Sequence, residues 1–554
     1  MSISLDQTHS LPDKSQTPVR PAPTSTSRWL VLAYWSAIVL TLVAAVSMRL
    51  YHLDLPFDRD SYDEGVYWQS LRSMLNGQSL YSGIFYSQPP LFLLSTYPGF
   101  ALFGASLWAA RFSIALVSLL GFLGAYILGR TLAGRLGGLA ALLLLLVDPL
   151  YLAQSQTIQA EASSVAFTLL AVAFAFLWWQ QPDGRRGLCW AALCGLTFSL
   201  SLLCKLLCIS TLVPIALLML ARAWQISRGK AGTSGRSWLP LLVGMGVAAL
   251  TIAVALLPYA GSLKVVWADV WTFHTEAAKV AALPRIINLQ RIGVALLSLT
   301  TLAALYGLLS ALLRQDWRVL PVLAWLLITF FSLFNQQPLF IHHLVALEPP
   351  LITLALLGLA RPAAYKGLLN SLPARVERLA SFIEPEPLLK LLASYKASLV
   401  QRVPEKQGRL IFGAALILLL AACTGGFWQD VNYYQGADAY VATPLIQQNL
   451  HVANDLRQAI GPDQWVVTDG QFIAGLANRS TPPLLVDTSS VRLLTGYVTL
   501  AQLEQATINP RVHAVLFYTS RFYYIHQAAG FHAWVAARFH LLHKYGPGQE
   551  LWAR

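Results

Sequence analysis

Apolar stretches separated by short polar loops recur along most of this chain. They lie near residues 29–49, 107–128, 137–152, 162–179, 188–204, 206–221, 238–259, 291–313, 319–334, 344–360 and 410–427. Crossing a bilayer takes ~20 apolar residues, so the pattern predicts a polytopic helical bundle of about 11 spans. A further apolar run, Pro89 to Gly104, is interrupted by Pro98-Gly99 and reads as a re-entrant or interfacial piece. The final 125 or so residues change character. Trp465-Val466-Val467, Leu484-Leu485-Val486 and Ala514 to Phe517 read as buried strands, with helical patterns around Ala501–Ala506 and Tyr523–Ala537. The fold class is therefore mainly α, with interfacial helices in the first loop and a small C-terminal α/β domain. The division is 1–28 as a polar tail, 29–428 as the transmembrane domain and 429–554 as the terminal domain.

Composition strengthens this picture. The 554 residues are 56% hydrophobic and only 12% charged, about half the charged share of an ordinary soluble domain. The net charge of +13 would suggest nucleic acid in a soluble protein. Here the basic residues gather in alternate loops: Arg130 and Arg135; Arg185 and Arg186; Arg222, Arg228, Lys230 and Arg236; Arg314 and Arg318; and residues 361–409. By the positive-inside rule these loops and the N-terminus face the cytoplasm, which places residues 50–106, 153–161, 260–290, 335–343 and the C-terminal domain outside. Nucleic acid is not an expected partner. The segment 361–409 is expected along the inner membrane surface. The run Trp29 to Met48 is long enough to be a retained signal anchor in a multi-pass protein of the cell membrane. Cys189, Cys194, Cys204, Cys208 and Cys423 all fall in apolar stretches, as packing residues rather than a disulfide or metal set.

The candidate chemistry lies in the outer loops. Asp63-Glu64 follows the first span, and Ser61-Tyr62-Asp63-Glu64 matches a capping box ahead of a helix with Tyr67, Trp68, Leu71, Met74 and Leu75 on one face. That helix is expected flat on the outer surface with its rings at the interface. Acids in the first turn ordinarily complement the helix dipole. A second outer acid, Glu161, also opens a span, and two acids from two loops can converge on one polar site. Arg59, Lys205, Arg291, His342 and His343, with His274 and Arg285, are cations or imidazoles on the same side, suited to an anionic head group. No metal is expected.

The stretch from Asp63 to Arg111 reads Asp-Glu-x-x-Tyr, then Gln-Pro-Pro-Leu, then Leu-Phe-Gly-Ala-Ser-Leu-Trp-Ala-Ala-Arg. It resembles the first outer loop of the GT-C membrane glycosyltransferases, nearest the protein O-mannosyltransferases and the lipid A aminoarabinose transferases. The likeness runs on through Asp148-Pro149, Glu161, Lys205 and His342-His343 ahead of Pro349-Pro350, over roughly the first 360 residues. It implies a polyprenyl-phosphate sugar donor, a lipid, glycan or protein acceptor, and inverting transfer with Asp63 as base and Glu161 as the second acid. Glu64 is grouped with the substrate-binding residues. Related sequences commonly carry Lys at the position of Gln88, so Arg59, Lys205 or Arg291 is the expected phosphate partner instead. The rival class is a transporter or flippase of lipid-linked sugars.

Overall fold

A computed structural model describes residues 25–60, 62–181, 184–227, 238–359, 405–526 and 528–554. Most of the polar N-terminal tail, Ser61 of the expected capping box and most of the basic segment 361–409 lie outside the described residues. The helices in chain order are α1 Ser25–Leu50, α2 Asp63–Leu75, α3 Leu91–Leu102, α4 Leu107–Ser118, α5 Leu120–Leu146, α6 Pro149–Ser155, α7 Glu161–Gln180, α8 Gly184–Cys204, α9 Leu212–Ser227, α10 Leu239–Leu256, α11 Leu263–Trp267 and α12 Phe273–Val280. They continue as α13 Arg285–Leu296, α14 Leu299–Leu313, α15 Val319–Asn335, α16 Glu348–Leu357 and α17 Glu405–Val441. The terminal unit adds α18 Pro444–Ala459, α19 Gln471–Leu476, α20 Ser490–Leu494, α21 Leu500–Thr507 and α22 Ala528–Ala536.

The bundle is built around α7. Small residues along it, Ala162, Ala166, Ala171, Ala173 and Ala175, are fully buried and let α5, α8 and α9 pack against it. Seven helical segments among the described residues are long and apolar enough to cross a bilayer, or eight if α13 and α14 form one broken span bent by 83°. The expected number was larger. Apolar stretches were counted there, whereas Val319–Asn335 and Ile341–Leu357 are shorter than a full crossing. In the other direction, Leu107–Leu146 counts as one segment but turns back at Ala133 and Gly134, which has φ +71°. Gly129 and Gly137 then meet so closely that a Cβ on Gly129 would lie 2.2 Å from the Gly137 carbonyl. The segment therefore has two arms, one for each apolar stretch read there.

The terminal unit is α/β. Its strands, β1 Trp465–Thr468, β2 Val512–Phe517, β3 His540–Gly546 and β4 Gln549–Ala553, form a sheet of order β1-β2-β4-β3. β1 and β2 pair in parallel, and β4 runs antiparallel to both β2 and β3. Leu484-Leu485-Val486, expected as a strand, instead follows Pro482-Pro483 into a 3-10 turn. Proline fixes φ and removes a donor that a ladder needs. The membrane-side helix α17 runs to Val441, so the terminal unit starts later than residue 429.

This unit sits directly on α2. Trp68 is edge-on to Phe472 with ring centroids 5.7 Å apart, Gln69 donates to the carbonyls of Gln471 and Arg479 at 3.3 and 3.1 Å, and Arg72 donates to Asn478 at 2.6 Å. Tyr67 and Trp68 are 6% and 4% exposed. The expectation of a helix lying flat with its rings at the interface is thus corrected: α2 is sandwiched between the bundle and the terminal unit. Gly65 permits the contact, since a Cβ there would lie 2.5 Å from the Phe472 backbone nitrogen. Gly65→Ala is expected to cost roughly 1–3 kcal/mol through overpacking, read as a lowered thermal midpoint of the purified protein. Because α2 and the terminal unit touch, they occupy the same side of the membrane.

Candidate functional site

The first loop is pinned from inside. Arg111, fully buried on α4, donates five hydrogen bonds: to Leu53 and Leu55 carbonyls at 3.1 and 2.8 Å, to the Phe57 carbonyl at 2.7 Å, and to both Glu64 oxygens at 2.9 and 2.6 Å. Glu64 also accepts from the Arg59 and Ile158 amides at 2.7 and 2.9 Å. Burial pushes the Glu64 carboxyl up, but Arg111 and these amides together hold it below its ordinary value. Both oxygens are engaged within the protein, and Glu64 ties the loop to α4. Arg59 is likewise committed, to Gln156 at 2.8 Å, to the His52 carbonyl at 2.6 Å and to the Tyr433 hydroxyl. Through Tyr433 it is tied to α17.

At the start of α2, among the described residues, Asp58 acts as a cap. Asp58 accepts from the Gly65 amide at 3.3 Å and, through its other oxygen, from the Asp60 amide at 2.9 Å. This folds Asp60 back beside Asp63, the first residue of α2. Asp60 bonds His342 Nδ1 at 2.7 Å and accepts from Gln159. The Asp63 carboxylate is half-buried and forms no hydrogen bond among the described residues. Burial, and next the charge of Asp60, push it up to about 6; Asp487 adds to the effect, while His342 and Lys205 oppose it.

Glu161 opens α7 and is 1% exposed. Its Oε1 is in contact with the Lys205 ammonium, with His342 Nε2 at 3.4 Å and with His343 Nε2 at 3.9 Å. Its Oε2 is buried without a partner. Lys205 interrupts the helical path after α8 in an extended conformation, and the two histidines lie on a 3-10 turn, Ile341–Leu347. The structure thus brings Asp63, Glu161, Lys205, His342 and His343 together from four separate segments. Asp60 joins them; its signal in the sequence was the charged run Asp58-Arg59-Asp60 just ahead of the acidic pair.

Gln88 stands apart. Its carbonyl accepts from Tyr81 at 2.8 Å, and the neighbouring Ser87 carbonyl takes His274 Nε2 at 2.8 Å. Arg291 donates to the Leu339 carbonyl and lines a cavity of about 640 Å³ with Asp148, Val294, Leu297, Leu344 and Glu348. Val294 and Leu297 are 71% and 84% exposed, and the break between α13 and α14 borders the same space. Non-helical backbone at membrane depth is tolerated where it lines a cavity or is buried in protein.

Among the described residues, two sets of side chains could hold a divalent ion. Ligand atoms of Glu161, His342 and His343 lie within 4.8 Å of one another, as do those of Asp60, Asp63 and His342. The orphaned Glu161 Oε2 fits such an ion. The Lys205 ammonium already balances that carboxylate, so an ion would compete with it.

A family model described as dolichyl-phosphate-mannose-protein mannosyltransferase matches residues 35–274. No curated protein matches the sequence. Among solved structures, ArnT from Cupriavidus metallidurans in the apo state aligns with a TM-score of 0.57 at 15% identity, covering 96% of this chain and 98% of that one. The same protein bound to undecaprenyl phosphate aligns with a TM-score of 0.58 at 16% identity and the same coverage. The fold is that of ArnT over nearly the whole chain, and the resemblance to the GT-C superfamily read from the first-loop motifs stands.

Proposed function

We propose that this protein is an inverting glycosyltransferase that moves a sugar from a polyprenyl-phosphate donor to an acceptor hydroxyl at the outer face of the cell membrane. The N-terminus is cytoplasmic and the terminal unit extracytoplasmic in this reading. The observation that carries it is the Asp63 carboxylate, raised in basicity and without a hydrogen bond among the described residues, beside the cations Lys205 and His342, with the His343 ring held neutral by burial and by Lys205. Asp63 accepts the proton of the acceptor hydroxyl as the oxygen attacks the anomeric carbon. The sugar–phosphate bond breaks, and the electron pair leaves with the lipid phosphate, whose charge Lys205 and His342 stabilise. Glu161 keeps Lys205 and the two rings in place. The 640 Å³ cavity, with Arg291 in its wall and an apolar rim, suits the lipid chain of the donor. The donor phosphate then relies on Lys205 rather than Arg59 or Gln88.

Reconstituted protein supplied with undecaprenyl-phosphate sugars and a membrane extract is expected to release undecaprenyl phosphate in step with a new glycoside. Movement of intact donor between leaflets with no glycoside formed would support the transporter class instead. The scheme needs no metal, so chelation with EDTA should leave the rate within about twofold. A loss restored by added Zn²⁺ or Mn²⁺ would assign an ion to Glu161, His342 and His343.

A further inference from the structure

Part of the candidate site comes from the terminal unit. The Tyr62 hydroxyl donates to Gln471 at 2.9 Å, contacts the Thr488 hydroxyl at 2.9 Å and accepts from the Thr488 amide at 3.1 Å. The Tyr62 ring thus spans from the start of α2 to Thr488, and brings Asp487 within range of the Asp63 charge. Asp487 is 7% exposed. One of its oxygens accepts from the Ser489 amide at 2.7 Å, and the other forms no hydrogen bond among the described residues. Its charge acts on both Tyr62 and Asp63. Arg492, fully buried and 4.0 Å from the Phe85 ring centroid, donates to the carbonyls of Leu484 and Asp487 at 2.8 and 2.5 Å and fixes this segment. On the Tyr62 ring, at 3.7 Å from its centroid, lies the guanidinium of Arg521. Arg521 is held through its backbone amide by Asp469 at 2.8 Å, while its guanidinium makes no hydrogen bond or ion pair among the described residues.

A largely buried carboxylate that keeps one oxygen open is an acceptor available to a ligand. A free guanidinium fixed on a ring is a poised donor set. Both flank Tyr62, the residue that precedes the carboxylate read as the base. A carbohydrate offers alternating hydroxyl donors and oxygen acceptors, which a carboxylate and a guanidinium match in turn. We propose that Asp487 and Arg521 form an acceptor subsite for a hydroxyl-rich carbohydrate, supplied to Asp63 by the terminal unit. This rests on the reading of Asp63 as the base for the direction of attack, while the binding itself needs neither donor nor turnover.

The test is saturation-transfer NMR on the full-length protein in nanodiscs, with a panel of neutral and acidic mono- and trisaccharides and no lipid donor. Wild type is expected to show transfer to ring protons of at least one sugar. Asp487→Asn, which keeps the Ser489 contact, and Arg521→Gln should each weaken that binding at least fivefold. Their thermal midpoints should stay within 2 °C of wild type. Sugar binding unchanged in both variants overturns the proposal, as does absence of binding in wild type or saturation of a serine-rich peptide in place of the sugars. Failure of the glycosyltransferase reading would show separately, as absence of lipid-phosphate release by a wild type that still binds sugar.

Discussion

Asp63→Asn is expected to lower transfer by about 10²–10⁴-fold, the usual contribution of a positioned proton acceptor, while the protein inserts and purifies as wild type. Its thermal midpoint should be unchanged or raised. A carboxyl lifted by burial and by Asp60 opposes folding once ionised, so at neutral pH the neutral amide relieves the fold of that charge. The same value fixes the pH profile. The base works ionised, so kcat/KM should fall with a slope of about one below pH ~6 and level off above it. Asp60→Asn removes the nearest like charge and should carry this limb to lower pH. Full turnover by Asp63→Asn, or a profile flat down to pH 4.5, would remove Asp63 from the role of base.

Arg111→Ala has the largest expected effect on stability. It strands Glu64 as a buried carboxylate and leaves the carbonyls of Leu53, Leu55 and Phe57 without their donor. Breaking a buried pair by removing one partner costs about 3–5 kcal/mol, a large part of the ~5–15 kcal/mol that holds a typical fold. Low yield and early aggregation on heating are expected, with activity lost because Asp58, Asp60 and Asp63 no longer share one turn. Arg111→Lys offers one ammonium against five acceptors and should be only partly better. A purified Arg111→Ala protein with a wild-type midpoint would show that the loop is held elsewhere.

Much of the bundle could be read from apolar run length alone, because the bilayer imposes it. The approach of Asp63, Glu161, Lys205, His342 and His343 was accessible for a related reason: membrane topology sorts loops to one side and so limits which can meet. The partners of Glu64 and Arg59 were not accessible. Glu64 pairs with a residue 47 positions away and Arg59 with one 374 away, and nothing local distinguishes a structural ion pair from a substrate clamp. The cap supplied by Asp58 lies five residues before the helix, outside the spacing of a capping box. The hairpin β3–β4 escaped because β3 is mostly exposed and shows no alternation of polar and apolar residues. Its turn, Gly546-Pro547-Gly548, was the signal available.

The contact between α2 and the terminal unit also bears on biosynthesis. The loop holding Asp63 is made well before its partners in the terminal unit, since Gln69 and Gln471 are 402 positions apart in the chain. The surroundings of Asp63 are thus completed only after the terminal unit has been made. A chain cut within the bundle is expected to insert with the face of α2 that carries Trp68, Gln69 and Arg72 left uncovered.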